Sequence, residues 1–276
     1  MHPLDTEEIK AKSFQLLRDF DRVCTAHGVR YSLGMGTLLG AVRHRGFIPW
    51  DDDVDVILTR PEYQKLVSLG AEAFGANRAL ISLETNADFT APLAKFVDAS
   101  TTLIQTDHAE RVTLGLYLDL FVYDMLPPDP DAWDRHCRRG DRLQRLWTAA
   151  ELKPKPGERN LLKLAYKHTA AHTDLARSLA LRLRDYASQT AWGDGTHAAN
   201  LMYSTFPRAQ FCFTRAQLET FTELTFEGAS FPAFVDYDAF LTGWYGDYLR
   251  LPPPEKRVGH HRYTVYGSAE KGDETP

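Results

Sequence analysis

The stretch GMGTLLGAVRHRGFIPWDDDVDVILTR, residues 34–60, decides the expected fold. A turn of small residues leads into a short amphipathic segment, and a dense run of carboxylates follows. The alternation of Asp53, Val54, Asp55 and Val56, continued by apolar residues, predicts a β-strand. Because side chains alternate along a strand, Asp53 and Asp55 are expected on the same face.

Two carboxylates held side by side on a strand repel each other unless a cation lies between them. A hard divalent ion is the usual solution, so the pair of Asp53 and Asp55 predicts a Mg²⁺ site, with Mn²⁺ as the alternative ion. A calcium loop of the EF-hand type is disfavoured, because the sixth position is not Gly and the segment continues into apolar residues. A solvated turn ahead of an ordinary edge strand is the remaining alternative.

A phosphate site is predicted just upstream of the acidic run. The β-rich run 29–33 delivers the chain to Gly36 and Thr37, and Thr37 is expected to cap a helix over 38–44. Backbone N–H groups at a helix start attract phosphate, and Gly36 would allow close approach. The signal is weak in isolation and gains its value from the carboxylates that follow.

Asp119 is a second acidic position of interest, because two leucines flank it in an apolar strand. A lone ionised carboxylate there would be costly without a partner. It either pairs with a base such as Lys95 or Arg111, or joins Asp53 and Asp55 around a metal. We favour the second arrangement and expect antiparallel neighbours to bring the strands together.

Bulk composition is that of a globular chain, with 43% hydrophobic and 25% charged residues. The cysteines, at 24, 137 and 212, lack the paired spacing of a zinc site and predict reduced thiols. The polar start of the sequence has no apolar signal region, and no run approaches the roughly 18 apolar residues of a membrane span. These features predict a cytoplasmic protein.

Charge is unevenly distributed along the chain. Residues 131–192 hold 13 Lys and Arg against 7 Asp and Glu, although the whole chain has a net charge of −5. The pattern predicts helices over 133–152 and 160–186. A solvated helical face is the default interpretation of this basic segment. Attraction to an anionic membrane surface, as a peripheral contact at the inner face, or to a polyanionic acceptor is the alternative.

Three parts are therefore predicted. Residues 1–128 form a catalytic core, 129–199 an inserted helical hairpin, and 200–276 a segment that completes the core and the acceptor site. Other expected elements are a helix from the capping box of Asp5 and Glu8 to Gly28, a helix from Pro61, strands over 79–84, 93–97 and 114–123, and a hairpin over 224–234.

Three parts of the sequence resemble the LicD family of phosphotransferases. They are GTLLGAVRHRGFIPWDDDVDV, the later strand LYLDLF, and a C-terminal pattern made of FxGxxFPAF, YGDYLRLPPP and a histidine. LicD-family proteins are relatives of the fukutin group within the nucleotidyltransferase superfold. The resemblance spans about Tyr31 to His261. It implies an α+β fold, with a nucleotidyltransferase-like mixed β-sheet core flanked by helices.

The resemblance also implies roles for residues of this chain. Gly36 and Thr37 match the glycine-containing pair near the nucleotide phosphates. Asp53 and Asp55 match the Asp-x-Asp strand, and Asp119 matches the third acidic position, as a metal ligand or general base. Further candidates for phosphate contacts are basic residues, each with an alternative role as a surface charge: Arg43, His44, Lys95 and, in the polar tail beside His261, His260.

The implied reaction moves phosphocholine or a polyol phosphate from a CDP-activated donor onto a glycan or its lipid-linked precursor, with no nucleic acid as partner. A nucleotidyltransferase acting on a small molecule or protein is an alternative within the same fold. A catalytically inactive glycan-binding or partner-binding module is another. The acids at 53, 55 and 119 argue against the inactive module.

Overall fold

The fold was analysed in a computed structural model that describes residues 2–105, 112–154, 157–201, 212–259 and 263–267. Its first helix, α1 (Thr6–His27), begins at the predicted capping box, in which Asp5 accepts from the backbone N–H of Glu8 and Glu8 accepts from that of Asp5. The helix ends at Gly28, whose φ of 63° is the left-handed conformation that favours glycine. Both predicted ends of α1 are confirmed.

A mixed sheet forms the centre of the molecule. Its strands lie in the order β1 (Ser32–Leu33), β2 (Asp55–Thr59), β5 (Leu114–Met125), β4 (Ala94–Gln105) and β10 (Tyr263–Tyr266). Three further strands extend it: β3 (Arg78–Ile81) pairs with β4, β6 (His197–Ala199) with β5, and β7 (Phe213–Thr214) with β6. The predicted α+β class and mixed sheet are confirmed.

The pairing of β2 with β5 decides where the acidic residues meet. The two strands are parallel, and Asp55 lies opposite Asp119 in their register. The expectation of antiparallel neighbours at this point was wrong. The connection between the strands passes through β3 and β4, and β4 is the strand that runs antiparallel to β5.

Helices and a hairpin cover the sheet. They are α2 (Met35–His44), α3 (Arg60–Val67), α7 (Arg215–Glu219) and α8 (Tyr237–Tyr245), with the hairpin β8 (Phe221–Phe226) and β9 (Ala229–Phe234). The main core joins α1, the sheet and this hairpin, and fully buried aromatic side chains such as Phe20, Phe96 and Phe226 fill it. Residues more than 200 positions apart therefore share one core.

The basic segment contains three helices, where the sequence predicted a hairpin of two. These are α4 (Trp133–Glu151), α5 (Leu161–Ala171) and α6 (Leu175–Ala187). The expected helix over 160–186 breaks at residues 172–174. The side chain of Trp147 on α4 donates to the backbone carbonyl of Thr90, which ties the segment to the core. Its limits as a separate domain stay a prediction.

Among the described residues, no disulfide bond joins Cys24, Cys137 and Cys212. No helix in the described part of the chain is long and apolar enough to cross a membrane.

Candidate active site

Thr37 orients the first acidic residue of β2. Its hydroxyl oxygen accepts a hydrogen bond of 2.8 Å from the backbone N–H of Asp55, and both residues are buried. The prediction that Thr37 caps α2 was wrong, because the helix begins at Met35 with Gly34 as its N-cap. Gly34 is held there by donating its N–H to the carbonyl of Asp55. The start of α2 and the start of β2 therefore fix each other.

Gly36 provides space and a donor at the same point. A Cβ atom on Gly36 would lie 2.6 Å from a carboxylate oxygen of Asp51 and 3.9 Å from one of Asp55. The N–H of Gly36 also hydrogen-bonds the carboxylate of Asp55. The preceding residue, Met35, has a φ of 39°, which is costly for a residue with a side chain. The turn thus brings backbone close to two carboxylates.

Asp55 is the centre of an acidic cluster and is only 7% exposed. Burial, and then the neighbouring carboxylates of Asp53, Asp119 and Asp51, raise the pKa of Asp55 well above its usual range, while the Gly36 hydrogen bond opposes this. Asp53 precedes β2, which begins at Asp55. The three acids predicted to act together are therefore near enough to repel one another.

Asp119 forms the ion pair with Lys95 that was one of the two predicted arrangements, and it also lies opposite Asp55 in the sheet. The ammonium of Lys95 lies 2.6 Å from its carboxylate, and it also lies 3.4 Å from the centre of the Tyr117 ring. Burial lowers the pKa of Lys95, but Asp119 and Tyr117 outweigh burial and the net pKa is raised. Asp119 is thus paired with a base and adjacent to Asp55 at once. Arg111, the other candidate partner, lies outside the described residues.

The donor set fits a hard divalent cation, because carboxylate oxygens are the ligands that Mg²⁺ and Mn²⁺ prefer. The crowding of negative charge around buried Asp55 fits the same ion. However, within residues 2–105, 112–154, 157–201, 212–259 and 263–267 no three acidic, histidine or cysteine side chains have the arrangement of a formed metal site. A cation would have to draw these carboxylates together.

A cavity of about 770 Å³ opens beside the acidic cluster. Gly36 and Asp51 line one side, and the other side comes from the segment 245–257. Four cationic residues line it: Arg43, Arg250, Lys256 and Arg257. The cavity therefore places positive side chains next to a carboxylate cluster.

Arg43 links the two walls of this cavity. Its guanidinium donates a hydrogen bond of 2.9 Å to the backbone carbonyl of Tyr248. Burial, and then repulsion by Arg257, lower the pKa of Arg43, which Tyr245 partly offsets. The guanidinium of Arg257 in turn lies 5.7 Å from the centre of the Trp50 ring. Arg43 and Arg257 are thus neighbours on one cationic surface.

Two further basic candidates, Lys95 and His44, do not line this cavity. Lys95 is paired with Asp119, and His44 makes an edge contact with Trp50 at 6.4 Å between ring centroids. Burial, and then Arg43, lower the pKa of His44. His260 and His261 lie outside the described residues, so their roles stay predictions.

Several residues of the cavity were not singled out from the sequence: Trp50, Asp51, Arg250, Lys256 and Arg257. Asp51 was noted as part of the acidic run but was not assigned a role. The segment YGDYLRLPPPEKR, 245–257, combines aromatic and basic residues, and this composition was the feature of the sequence that could have indicated a binding surface. Nothing in its local pattern shows that it lies against residues 36–51.

Glu227 holds the loop that joins α2 to the acidic run. Its carboxylate accepts a 2.9 Å hydrogen bond from the N–H of Phe47, and its own N–H donates to the carbonyl of Arg45. A Cβ on Gly46 would collide with this carboxylate. The hairpin turn between β8 and β9 therefore positions the loop.

The comparisons with known proteins agree with this geometry. Residues 28–131 match the family described as LicD/FKTN/FKRP, nucleotidyltransferase domain. This segment is therefore similar to a LicD-family domain. It contains both walls of the acidic cluster, α2 with β2 and β4 with β5, whereas residues 245–257 of the cavity lie beyond the matched segment.

The similarity to one LicD-family protein extends over nearly the whole chain. The chain is 29% identical over 280 residues to the lipopolysaccharide cholinephosphotransferase LicD of Haemophilus influenzae, covering 96% of this chain and 99% of that protein. Shorter matches occur to uncharacterized proteins of Rickettsia typhi, 50% identical over 50 residues, and Rickettsia prowazekii, 49% identical over 43 residues. These cover 18% and 16% of this chain and 16% of each of those proteins.

Proposed function

We propose that this protein is a phosphotransferase that acts on a glycan. In its full form, the proposal is a Mg²⁺-dependent transfer of phosphocholine or a polyol phosphate from a CDP-activated donor onto a cell-surface glycan or its lipid-linked precursor. The likeness to a lipopolysaccharide cholinephosphotransferase over 96% of the chain supports the class of reaction and acceptor. The cytoplasmic location expected from the sequence is part of this proposal.

One observation carries the proposal: the cationic cavity opens directly beside the acidic cluster. A CDP donor has a diphosphate that needs positive partners and a reacting phosphorus that needs charge neutralisation. Arg43, Lys256 and Arg257 offer positive partners for the diphosphate. The carboxylates around Asp55 can hold a cation that neutralises charge at the reacting phosphorus. At about 770 Å³ the cavity has the volume of a typical small-molecule site.

The reaction forms one bond and breaks one. An acceptor hydroxyl oxygen attacks the phosphorus that bears choline or the polyol, the bond from that phosphorus to the bridging oxygen breaks, and CMP leaves with the electron pair. The hydroxyl proton passes to a base. When bound, Mg²⁺ would supply charge neutralisation for the phosphoryl oxygens and the leaving group.

The chain's own residues would bind, orient and shield the donor. Asp53, Asp55 and Asp119 are the residues proposed to hold the cation, with Asp51 as a further carboxylate beside Gly36. Arg43 and Arg257 would bind the diphosphate, and Trp50 presents an aromatic face to the nucleotide. Thr37 acts through Asp55, because it fixes the backbone from which that carboxylate projects.

In the alternative role, Asp119 is the base for the acceptor hydroxyl and not a cation ligand. Lys95 donates to one of its oxygens at 2.6 Å and leaves the second oxygen for another partner. The ammonium fixes the direction of the carboxylate, as the third member of a triad orients its base. Lys95 is therefore assigned a positioning role, in place of the phosphate contact expected from the sequence.

Product analysis tests the proposal. The purified protein is incubated with Mg²⁺, lipopolysaccharide as acceptor, and in turn CDP-choline, CDP-ribitol, CDP-glycerol or free nucleoside triphosphates. CMP release that requires the acceptor, with phosphocholine or polyol phosphate found on the glycan, is the expected result. An Asp53→Asn variant serves as the inactive control.

A nucleotidyltransferase is the second candidate, because the description of the matched family names a nucleotidyltransferase domain. It would release pyrophosphate from a nucleoside triphosphate in the same assay. That result would replace the phosphotransferase proposal. Absence of both products with all donors would favour a module that binds a glycan or partner without catalysis.

A further inference from the structure

The helical segment carries exposed leucines at one end. Leu161 and Leu162, in the first turn of α5, are 78% and 84% exposed, and Leu146 on α4 is 48% exposed. Leu179 and Leu183 of α6 in the same segment are buried. We name Leu146, Leu161 and Leu162 the leucine tip. Exposed leucines grouped at one place indicate a contact surface, whereas single scattered ones do not.

The leucine tip surrounds a groove between two helices. Leu146 and Leu162 line a hollow of about 390 Å³, together with Lys163 and Lys167. The hydroxyl of Tyr166 on α5 donates to the backbone carbonyl of Leu146 on α4, which holds the helices together at this point. Glu158 also lines the hollow and lies 4.0 Å from the ammonium of Lys167, so the leucines lie beside an ion pair and the exposed Lys163.

An arginine face continues from the leucine tip along α4. It consists of five exposed residues at helical spacing: Arg135, Arg138, Arg139, Arg142 and Arg145. Residues three and four apart share one side of a helix, so these guanidinium groups form a row that ends beside Leu146. Arg138 forms an exposed ion pair with Asp134, which is a weak contact, and Arg145 pairs at 2.9 Å with Asp141, whose side chain is 14% exposed. The face keeps an excess of positive charge.

We propose that the leucine tip and the arginine face dock the protein on an anionic phospholipid bilayer. Amphipathic surfaces of this kind place apolar side chains at the boundary of the acyl chains and basic side chains among the headgroup phosphates. Charge complementarity favours this occupant, because residues 131–192 are basic in a chain whose net charge is −5. A nucleic acid would pair with the arginines but would offer no apolar region for the leucines.

This surface shares no residue with the candidate active site, so the inference stands apart from the transfer reaction. Its failure would leave the proposed function intact, and failure of the transfer assay would not remove the surface. The two are tested by different measurements.

Vesicle flotation with the full chain tests the proposal. We expect binding to vesicles with about one third phosphatidylglycerol, weaker binding at high salt, and at least about tenfold weaker binding to pure phosphatidylcholine. Leu161→Ser with Leu162→Ser is expected to reduce binding at least about tenfold, because the apolar insertion is lost. Arg142→Gln with Arg145→Gln is expected to reduce it about thirtyfold.

Matched controls separate docking from general surface effects. Val235 is 52% exposed on another part of the chain, and Arg18 and Arg22 are exposed on α1. Val235→Ser, and Arg18→Gln with Arg22→Gln, should bind vesicles as the unmodified chain does, with circular dichroism confirming folding of every variant. Equal binding by the leucine-tip variant and the unmodified chain would overturn the proposal. The proposal would also be overturned if the unmodified chain bound no vesicle and instead formed a dimer in size-exclusion chromatography. In that case Leu161→Ser with Leu162→Ser would abolish the dimer.

Discussion

At the residue scale, the site depends on how one carboxylate is surrounded. The backbone N–H of Asp55 donates a hydrogen bond to the hydroxyl oxygen of Thr37, and the carboxylate of Asp55 accepts one from the N–H of Gly36. Burial and three neighbouring acids raise its pKa, so its negative charge is held at a cost that a bound cation would offset. The same residue is therefore expected to limit both cation binding and transfer.

Asp55→Asn is expected to lower the transfer rate at least about 100-fold, because it weakens binding of the cation that would neutralise the transition-state charge. The fold should persist, because the amide oxygen of Asn can still accept from Gly36 and a buried charge is removed. The measurements are CMP release and the midpoint of thermal unfolding. Asp52→Asn is the matched control, because Asp52 is not among the acids that affect the pKa of Asp55. Full activity of Asp55→Asn would remove the cation assignment.

The alternation of acids and valines predicted a strand that holds both Asp53 and Asp55, but β2 begins at Asp55, so Asp53 precedes the strand and lies near Asp55 from the loop. The leucines around Asp119 were sufficient to single it out. The ion pair with Lys95 was one of two options, since sequence patterns do not give the register between strands. The role of Thr37 was mispredicted, because a threonine before a helical pattern is typical of an N-cap. Its hydroxyl instead bonds to a strand that the pattern does not place beside it.

At the element scale, a buried ion pair joins α3 to β5. The guanidinium of Arg60 holds both carboxylate oxygens of Asp124, at 2.6 and 2.7 Å, and the two residues are 9% and 1% exposed. Because β2 leads directly into α3 and lies parallel to β5, the pair fixes these neighbours at the end of the strands opposite to Asp55 and Asp119. Its contribution is to the alignment of the sheet.

Arg60→Met should lower the free energy of unfolding by about 3–5 kcal/mol, because it leaves the carboxylate of Asp124 buried without its partner. The double variant Arg60→Met with Asp124→Leu should recover much of that loss, since no uncompensated charge remains. Urea unfolding of the single and double variants measures both values. A double variant no more stable than Arg60→Met would show that the pair does not act as a charge partner.

His136 on α4 gives the helical segment a pH dependence. Its ring stacks on Tyr186 at 4.7 Å, and its Nε2 finds no hydrogen-bond partner among the described residues. Burial, and then Arg139, lower the pKa of His136. The imidazole of His136 therefore binds a proton more tightly in the unfolded chain than in the folded one. Its neutral form contributes fully to the free energy of unfolding above the ordinary pKa of about 6.5. That contribution is lost as the pH falls from there toward the lowered pKa of the folded state.

His136→Phe keeps a ring against Tyr186 and removes the titration. The difference in free energy of unfolding between neutral and acidic pH should therefore be smaller in this variant than in the unmodified chain. Urea unfolding across the pH range measures it, with the exposed His172→Phe as the control that should leave the slope unchanged. If the free energy of unfolding depends on pH equally in His136→Phe and in the unmodified chain, other groups cause the acid sensitivity.

Element types were largely predictable and their partners were not. The capping box of Asp5 and Glu8 and the glycine at 28 predicted both ends of α1. The break at residues 172–174 was missed because leucines continue at helical spacing on both sides of it. The parallel pairing of β2 and β5 could not be inferred, since two apolar strands without a short turn between them carry no signal of direction.

At the scale of the whole molecule, distant parts of the chain build the cavity. Arg43 and the carbonyl of Tyr248 are 205 positions apart and joined by a 2.9 Å hydrogen bond. The hairpin turn at Glu227 supports the loop of Phe47 from a separation of 180 positions. Such contacts follow only from the complete fold, so the cationic wall could not be predicted from local patterns.

The variant Arg257→Gln tests whether the cationic wall of the cavity binds the CDP donor. It should raise the KM for the CDP donor about tenfold or more and leave kcat little changed, because a charge-assisted contact to phosphate is lost from binding. Calorimetric titration with CDP alone should show the same weakening, with Arg22→Gln as the control. Unchanged CDP affinity in Arg257→Gln would place the donor elsewhere.

The separation of the two cavity walls along the chain also sets the order in which they are made. The acidic run leaves the ribosome about 200 residues before the segment that supplies Arg250, Lys256 and Arg257. At typical elongation rates this interval lasts about 10–40 s. During that time a nascent chain has its carboxylates but no cationic wall to bind a diphosphate. Under the proposed function, the ability to hold the donor would therefore appear only near the end of synthesis.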